Sequence, residues 1–346
     1  MVEQERGEPM IDVAIITTVH WEGDPRLNRH VRYLEESGHH TELITFAGRG
    51  RMGALLAALR AVLTSTASTV VLPDPDMFFL GSLAARLTGR RPVIDIHEDY
   101  TRAAAARSWI PDMLRPATGA LARIAVALGR LAAWRVVVAA PELARRDDIV
   151  VRNIPDPDSL PFVPLGDPNR LVYIGDVTLA RGALDMVEVM AGLGEAFTLT
   201  LVGRIDDVTR PELEAAMAGS GTAGQIELTG RLDHSEAWRL ASGALAGLNL
   251  LRPVPAYRDA VATKLWEYLA VGTPPVVSDL PGQAHLVSRL DPQLVCRSID
   301  DAVSVITALS RDVARRRRIA ESGRRLVEEA WAKNRPDLAV QGAVAP

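Results

Sequence analysis

Short runs rich in Val, Ile and Leu alternate along the chain with longer Ala-, Leu- and Arg-rich segments of helical spacing. Such apolar runs are typical of strands buried on both faces, and the longer segments of helices that cover a sheet. The alternation predicts repeated βα units with parallel sheets. Helices are expected between the strands, for example at Arg26–Ser37, which Gly38 ends, and a long closing helix at Arg311–Ala332. The expected strands are Asp12–Thr18, Thr41–Phe46, Thr69–Leu72, Val93–Ile96, Val136–Ala139, Ile149–Arg152, Leu171–Ile174, Thr198–Val202, Gln225–Thr229, Gly247–Leu250, Pro275–Val277 and Leu294–Cys296.

The two halves of the chain share this pattern and are separated by a proline-rich segment. Asn153–Pro168 contains five prolines, which disfavour a helix and suit a connection between domains. We therefore predict an α/β protein with two doubly wound parallel-sheet domains that face each other across a ligand cleft. The expected parts are an N-terminal domain (1–153), a linker (154–168), a C-terminal domain (169–330) and a tail (331–346) that returns to the N-terminal domain.

Composition excludes several classes of protein. With 346 residues, 48% of them hydrophobic, and a net charge of −4, the chain can form two cores and is not globally attracted to nucleic acid. Cys296 is the only cysteine, which excludes an internal disulfide and a cysteine-based metal cluster. The acidic start does not resemble a secretory signal and no apolar stretch reaches the length of a membrane span, so a cytoplasmic location is expected.

Two glycine turns in the second half are candidate phosphate sites. Gly175 follows the first strand of this half and precedes a loop that ends at Arg181, where a helix is expected to begin. Backbone amides at a helix start and a guanidinium can together hold a diphosphate. Gly203 and Arg204 follow the next strand, at the same edge of the sheet. Taken alone, both turns fit ordinary βα loops with solvated arginines equally well.

The stretch that begins at Asp259 carries the most informative pattern. Asp259 and Glu267 are eight residues apart and are expected at the start and in the first turns of one helix, with Lys264 between them. Carboxylates accept hydrogen bonds from sugar hydroxyls, and the lysine is a cation for phosphate. Gly272 is expected to end this helix. Without further context, the same acid–Lys–acid pattern fits a solvated helix face.

The chain resembles the retaining GT-B glycosyltransferases of family 4. Their donor-site signature is similar to Lys264–Asp279, which reads KLWEYLAVGTPPVVSD. The resemblance covers nearly the whole chain and implies the GT-B architecture of two Rossmann-like domains. The other family motifs are matched in order by Val13–Thr18, Asp24–Arg26, His39–Leu43, Asp95–Tyr100, Tyr173–Gly182, Leu199–Gly203 and Ile226–Arg231.

This resemblance implies transfer of a sugar from a nucleotide diphosphate to an acceptor hydroxyl, with retention of configuration. The implied catalytic residues are His97, which faces the donor sugar, and Asp259, which contacts it. No metal or other cofactor is expected, because fixed cations and helix dipoles can stabilise the leaving diphosphate. The implied donor-binding residues are Gly175, Gly203, Arg204, Arg181 and Lys264 at the diphosphate and Glu267 at the ribose. The implied acceptor-side residues are Asp24, Arg26, Glu98 and Asp99.

Several positions depart from the family pattern. Asp259 stands where the family has a glutamate, and Ala262 where it has a proline. Asp176 stands where many relatives have an arginine, so Arg204 is expected to compensate, and the glycine pair of the family's first loop is absent. Two alternatives therefore remain: a nucleotide-sugar epimerase of the same architecture, and a non-catalytic relative that binds sugar nucleotides.

A basic, apolar-rich segment spans Arg102–Arg135, with six arginines and one acid, Asp112. One expectation is that the segment lies peripherally on an anionic membrane or beside a phosphorylated acceptor. The other is that it forms a core-packing helix with solvated arginines. The sequence leaves the acceptor open among a small metabolite, a glycan and a lipid-linked group. Nucleic acid is not an expected partner.

Overall fold

The computed structural model describes residues 11–100 and 112–346. The chain divides into two compact units, one formed by the described residues up to Asn153 together with Asn334–Pro346, and the other by Ile154–Lys333. The strands are β1 (Val13–Thr17), β2 (Thr41–Thr45), β3 (Thr69–Leu72), β4 (Arg91–Ile96), β5 (Arg135–Val138), β6 (Ile149–Val150), β7 (Arg170–Ile174), β8 (Thr198–Val202), β9 (Ile226–Gly230), β10 (Ala246–Asn249), β11 (Pro275–Ser278) and β12 (Val295–Cys296). The α-helices of the described residues are α1 (Pro25–Glu36), α2 (Arg51–Thr64), α3 (Leu80–Leu87), α4 (Arg115–Ala132), α5 (Ala183–Leu193), α6 (Thr209–Gly219), α7 (His234–Ala241), α8 (Thr263–Val271), α9 (Pro281–Val287), α10 (Ile299–Arg311), α11 (Val313–Asn334) and α12 (Pro336–Val344).

The first unit contains a six-stranded sheet in the order β2-β1-β3-β4-β5-β6, and every strand pair is parallel. The step from β1 to β2 runs in the opposite direction to the later steps. Right-handed crossovers therefore place α1 on one face and α2, α3 and α4 on the other. Helix α12 packs against α1, while α3 packs between α2 and α4. The core of this unit includes Phe78 and Ile94, both fully buried.

The second unit contains a six-stranded parallel sheet in the order β12-β11-β10-β7-β8-β9. The strand order reverses between β7 and β10. This reversal is a topological switch point, where the loops at the carboxyl ends of the strands part and ligands bind in doubly wound sheets. Trp238, Tyr173 and Tyr268 are fully buried in the core of this unit.

Close backbone contacts hold the loops at this edge of the second sheet. A Cβ atom at Gly182, where φ is +80°, would lie 2.0 Å from the carbonyl oxygen of Leu250. A Cβ at Gly203, where φ is +150°, would lie 2.0 Å from the carbonyl oxygen of Gly175. Only glycine allows these approaches, so the loops after β7, β8 and β10 are held close together.

The two-sheet α/β fold and the expected strands are confirmed, with ends that differ by at most two residues. The expected helices at Arg26–Ser37 and Arg311–Ala332 correspond to α1 and α11, and Gly38 follows α1 with φ +88°. Among the described helices, none combines the length and apolar character needed to cross a membrane.

One expected helix boundary is wrong. Helix α8 begins at Thr263, so Asp259 lies in the preceding loop and not on the helix with Glu267. Pro253 and Pro255 disfavour helix in this loop. The loop is also held by a backbone hydrogen bond from the N–H of Gly282 to the carbonyl oxygen of Arg258.

Candidate functional site

A lysine lies at the carboxyl end of β7, where the second sheet reverses its order. The Nζ atom of Lys264, from the first turn of α8, lies 3.8 Å from the centre of the Tyr173 ring. The Tyr173 hydroxyl donates a hydrogen bond to the backbone oxygen of Asp176 (2.7 Å), which fixes the ring. A Cβ at Gly175 would lie 2.8 Å from Nζ. The glycine after β7 therefore leaves room for the ammonium group.

The Lys264 ammonium is buried and has no hydrogen-bond partner among the described residues. Burial, and then the nearby Arg181 guanidinium, hold the pKa of Lys264 well below its usual range. The charges of Asp176 and Glu267 act in the opposite direction but do not compensate. Burying a cation without an acceptor is costly, so this position favours an anionic ligand.

Arg181 is the second cation at this loop. It ends a short 3-10 turn, Leu179–Arg181, in which the Thr178 side chain accepts a hydrogen bond from the Arg181 N–H. Its guanidinium lies 3.8 Å from one carboxylate oxygen of Asp176, and that of Arg231 lies 3.7 Å from the other. Asp176 is thus an ion-pair partner of two arginines. Helix α5 begins directly after this turn, so its electropositive end is near the same loop.

Glu267 lies one turn beyond Lys264 on α8 and is buried. Its Oε1 is 3.1 Å from Nε2 of His234, at the first position of α7. The indole N–H of Trp238 donates to the same Nε2, also at 3.1 Å. An indole can only donate and an ionised carboxylate can only accept, so Nε2 serves one partner at a time. With a proton on Nε2, this nitrogen donates to Glu267; without one, it accepts from Trp238.

The remaining predicted donor-side residues occupy less enclosed positions. Arg204 has an exposed side chain, and its backbone oxygen accepts a hydrogen bond from Val177 N–H (2.8 Å). Asp259 is also exposed, and its backbone packs against Gly282 at the start of α9. The structure therefore brings together Gly175, Gly203, Arg181, Lys264 and Glu267 around the switch point.

In the first unit, a buried carboxylate lies at the carboxyl end of β4. Arg26 binds both oxygens of Asp95, with Nε–Oδ2 and Nη2–Oδ1 distances of 3.0 and 2.6 Å. His30 and His97 each place Nε2 against Oδ2, at 2.9 and 2.8 Å. Burial opposes ionisation, but the Arg26 charge and the contacts of His97 and His30 together outweigh it and hold the pKa of Asp95 well below its usual range. The pKa of His30 is lowered to about 4, mainly by burial.

A second histidine cluster adjoins the first. Nδ1 of His20 lies 2.9 Å from Asp24, and Nε2 lies 3.3 Å from Asp74. Burial lowers the pKa of His20, but the two carboxylates outweigh it and raise the value to about 10. The ring centres of His20 and His97 are 5.2 Å apart. His20 is therefore a fixed imidazolium beside His97.

The four predicted acceptor-side residues lie at or near these clusters. Asp24 caps α1 by accepting hydrogen bonds from the N–H groups of Arg26 and Leu27, and also pairs with His20. Arg26 is buried against Asp95. Glu98 is exposed and Asp99 is half-buried, directly after His97 in the chain. Their roles toward an acceptor remain predictions.

Sequence reasoning missed the partners that hold these groups. His234 and Trp238 belong to no recognised motif, and Asp74 follows β3 far along the chain from His20. One signal was present: the carboxyl ends of adjacent parallel strands meet at one edge, so polar residues after β1, β3 and β4 could have been grouped.

The ion pairs of His20 predict a pH-dependent stability. A pKa raised from 6.5 to about 10 gives stability that is complete below pH 6.5 and is lost as the pH rises through about 10. We expect His20→Gln to lower the free energy of unfolding by about 3 kcal/mol at low pH and by much less near pH 10. Urea unfolding across this range measures the difference. His40→Gln, at an exposed position, is the control, and a pH-independent loss at His20 would contradict the assignment.

The shared nitrogen of His234 predicts a spectroscopic change in a variant. His234→Ala removes the acceptor of the Trp238 indole N–H. We expect the Trp238 indole N–H signal, assigned by Trp238→Phe, to move upfield in two-dimensional NMR spectra of this variant, because the hydrogen bond is lost. The Trp266 signal is the control, and an unmoved Trp238 signal would refute the contact.

A family model described as glycosyl transferase-like matches residues 187–335. A search of curated protein sequences gives no match.

Several solved structures share the fold at low sequence identity. A sucrose-phosphate synthase from Thermosynechococcus elongatus is 16% identical, with 96% of this chain and 97% of that chain covered and a TM-score of 0.70. HepE of Anabaena in complex with UDP-glucose is 13% identical, with 96% and 99% covered and a TM-score of 0.70. WaaG, a glycosyltransferase of lipopolysaccharide biosynthesis, is 14% identical, with 97% and 100% covered and a TM-score of 0.66.

These likenesses agree with the architecture of the two sheets. At such identities the structures show the fold alone. The family match shows what kind of sequence most of the second unit has. The chain thus has the GT-B fold of two Rossmann-like units, and residues 187–335 carry a glycosyl transferase-like sequence, in agreement with the predicted enzyme class.

Proposed function

We propose that the protein is a retaining glycosyltransferase of the family 4 type. It moves a sugar from a nucleotide diphosphate sugar to an acceptor hydroxyl, without a metal ion or other cofactor. The observation that carries this proposal is the buried Lys264 ammonium, which lies beside Arg181 at a glycine loop and makes no hydrogen bond with the described residues. A diphosphate has the charge to satisfy both cations.

The donor nucleotide is assigned to the second unit. Its diphosphate binds Lys264 and Arg181 near the start of α5, where the helix dipole favours negative charge. Its ribose hydroxyls donate to the Glu267 carboxylate, which is buried one turn away on the same helix. The structure of HepE in complex with UDP-glucose supports a donor of this class.

The acceptor is assigned to the first unit, which contains His97. Because Asp95 is ionised and accepts, Nε2 of His97 carries a proton and donates to it, so Nδ1 is the ring nitrogen left for a ligand. In this proposal His97 orients hydroxyls of the transferred sugar, and Asp259 contacts the same sugar. Asp24, Arg26, Glu98 and Asp99 then act on the acceptor side, the first two through His20 and Asp95.

The proposed reaction is a front-face displacement. The acceptor oxygen forms a bond to the anomeric carbon on the face from which the diphosphate leaves, as the bond from that carbon to the phosphate oxygen breaks. The acceptor proton passes to the leaving phosphate oxygen. Lys264 and Arg181 stabilise the negative charge that develops on the diphosphate.

The proposed location is cytoplasmic, with peripheral contact to a membrane through Arg102–Arg135. Residues 102–111 of this segment lie outside the described residues. The rest contains α4, in which Leu121, Ile124 and Leu131 are exposed. An amphipathic, basic helix of this kind supports contact with an anionic surface.

Calorimetric titration with UDP, GDP, ADP and dTDP, and with their glucose conjugates, tests the donor site. We expect one nucleotide to bind, and Lys264→Met or Glu267→Gln to weaken it by about tenfold or more, because each removes a charge-assisted contact. Lys333→Met and Glu236→Gln alter exposed residues and should bind like the parent.

Two outcomes would contradict this assignment. Unchanged affinity in Lys264→Met would show that the diphosphate does not bind at Lys264. Conversion of the bound nucleotide sugar to its epimer without an acceptor would indicate an epimerase, whereas a transferase should give only slow release of free sugar.

A further inference from the structure

The helix layer on one face of the first sheet has an unusual charge. Helices α2, α3 and α4 contain six arginines and no aspartate or glutamate: Arg51, Arg60, Arg86, Arg115, Arg123 and Arg130. The net charge of the whole chain is −4, so acidic residues predominate elsewhere. On the opposite face of the same sheet the charges are mixed: α1 carries three arginines together with Glu35 and Glu36, and α12 carries Asp337. The layer is therefore a cationic surface on an acidic protein.

The same layer presents apolar side chains to solvent. Of twenty-one large hydrophobic residues that are exposed in the described part of the chain, thirteen lie between Met52 and Leu131. On each helix they recur at helical spacing, which puts them in one row on the outer side. The rows are Met52, Leu56 and Leu63 on α2, Leu80, Leu83 and Leu87 on α3, and Leu121, Ile124, Leu128 and Leu131 on α4.

Close contacts fix the three helices side by side. A Cβ at Gly129 of α4 would lie 2.5 Å from Cβ of Phe78, directly before α3. Arg86 of α3 donates to the carbonyl oxygens of Ala132 and Ala133 at the end of α4, at 2.5 and 2.9 Å. Arg90 donates to the carbonyl oxygen of Ser65 at the end of α2. The three rows thus form one surface, here called the three-helix face.

Two kinds of arginine contribute to this face. Arg86 and Arg130 are engaged inside the unit, the latter through Asp148 at 2.5 Å. Arg60 and Arg123 are exposed on α2 and α4, beside the apolar rows. Exposed apolar side chains with cations among them match a bilayer in which acyl chains lie beneath anionic headgroups.

We propose that the three-helix face docks the protein peripherally on an anionic lipid bilayer. Leu87 and Leu131 enter the boundary between headgroups and acyl chains, and Arg60 and Arg123 contact lipid phosphates. A second copy of the chain fits this face less well, because two acid-free cationic surfaces repel each other. This docking does not depend on the transferase reaction, and extends membrane contact from α4 to α2 and α3.

Vesicle flotation with the full chain tests the proposal. Wild type should bind vesicles of phosphatidylcholine and phosphatidylglycerol, bind pure phosphatidylcholine at least tenfold more weakly, and lose affinity as salt rises. The double variant Leu87→Glu/Leu131→Glu should reduce binding at least tenfold. Both side chains are exposed, so thermal unfolding should match wild type. Arg60→Gln/Arg123→Gln should reduce the dependence on anionic lipid.

The matched control is Leu338→Glu. Leu338 is also exposed, in α12 on the opposite face of the same sheet, so this variant should bind vesicles like wild type. Equal loss in Leu338→Glu and the double variant would overturn the proposal, as would absence of wild-type binding to anionic vesicles. A dimer in light scattering that the double variant dissociates would instead assign the face to a second copy.

Discussion

The candidate donor site of the second unit depends on the approach of one ammonium group to one aromatic ring. Lys264 lies over Tyr173 at the end of β7, and the site admits only glycine at position 175. The ring stabilises the cation in part, but it provides no hydrogen-bond acceptor. Arg181, close by, adds a second positive charge that disfavours protonation of the lysine. The unliganded site therefore holds an electrostatic cost that a bound anion would offset, which links its geometry to phosphate recognition.

The charged groups of the first unit contrast with this site. Asp95 is compensated by Arg26 and two histidines, and His20 is compensated by Asp24 and Asp74. The described contacts of these networks lie within the unit and hold His97 in place through its Nε2. A rigid, internally neutralised histidine cluster suits the orientation of neutral hydroxyl groups. The second unit, with its uncompensated cations, suits a charged donor.

The strands and helices such as α1 and α11 could be predicted from the sequence because their signals are local. A buried strand such as β3 is a continuous apolar run, and the glycines at 38 and 272 adopt the left-handed conformation that ends a helix. The spacing of the acids misplaces Asp259, because it indicates a helix where the chain forms a loop with two prolines. The contacts of His234 with Glu267 and of His20 with Asp74 join residues distant in sequence, so no local pattern reports them. Likewise, an Ala-, Leu- and Arg-rich helix such as α4 has the same sequence pattern whether its leucines are buried or exposed, and only its packing against α3 shows which face is outside.

The most direct test of the central claim is the proton balance of nucleotide binding. At about pH 8.5 a terminal phosphate is already deprotonated, since it titrates near 6. If a diphosphate provides the charge that Lys264 lacks, its binding raises the pKa of Lys264 and the protein takes up protons. Calorimetry in buffers of different ionisation enthalpy measures this uptake for the tightest-binding nucleoside diphosphate. The account predicts proton uptake by wild type that is absent in Lys264→Met; tight binding with no uptake by wild type, or the same uptake by both proteins, would contradict it.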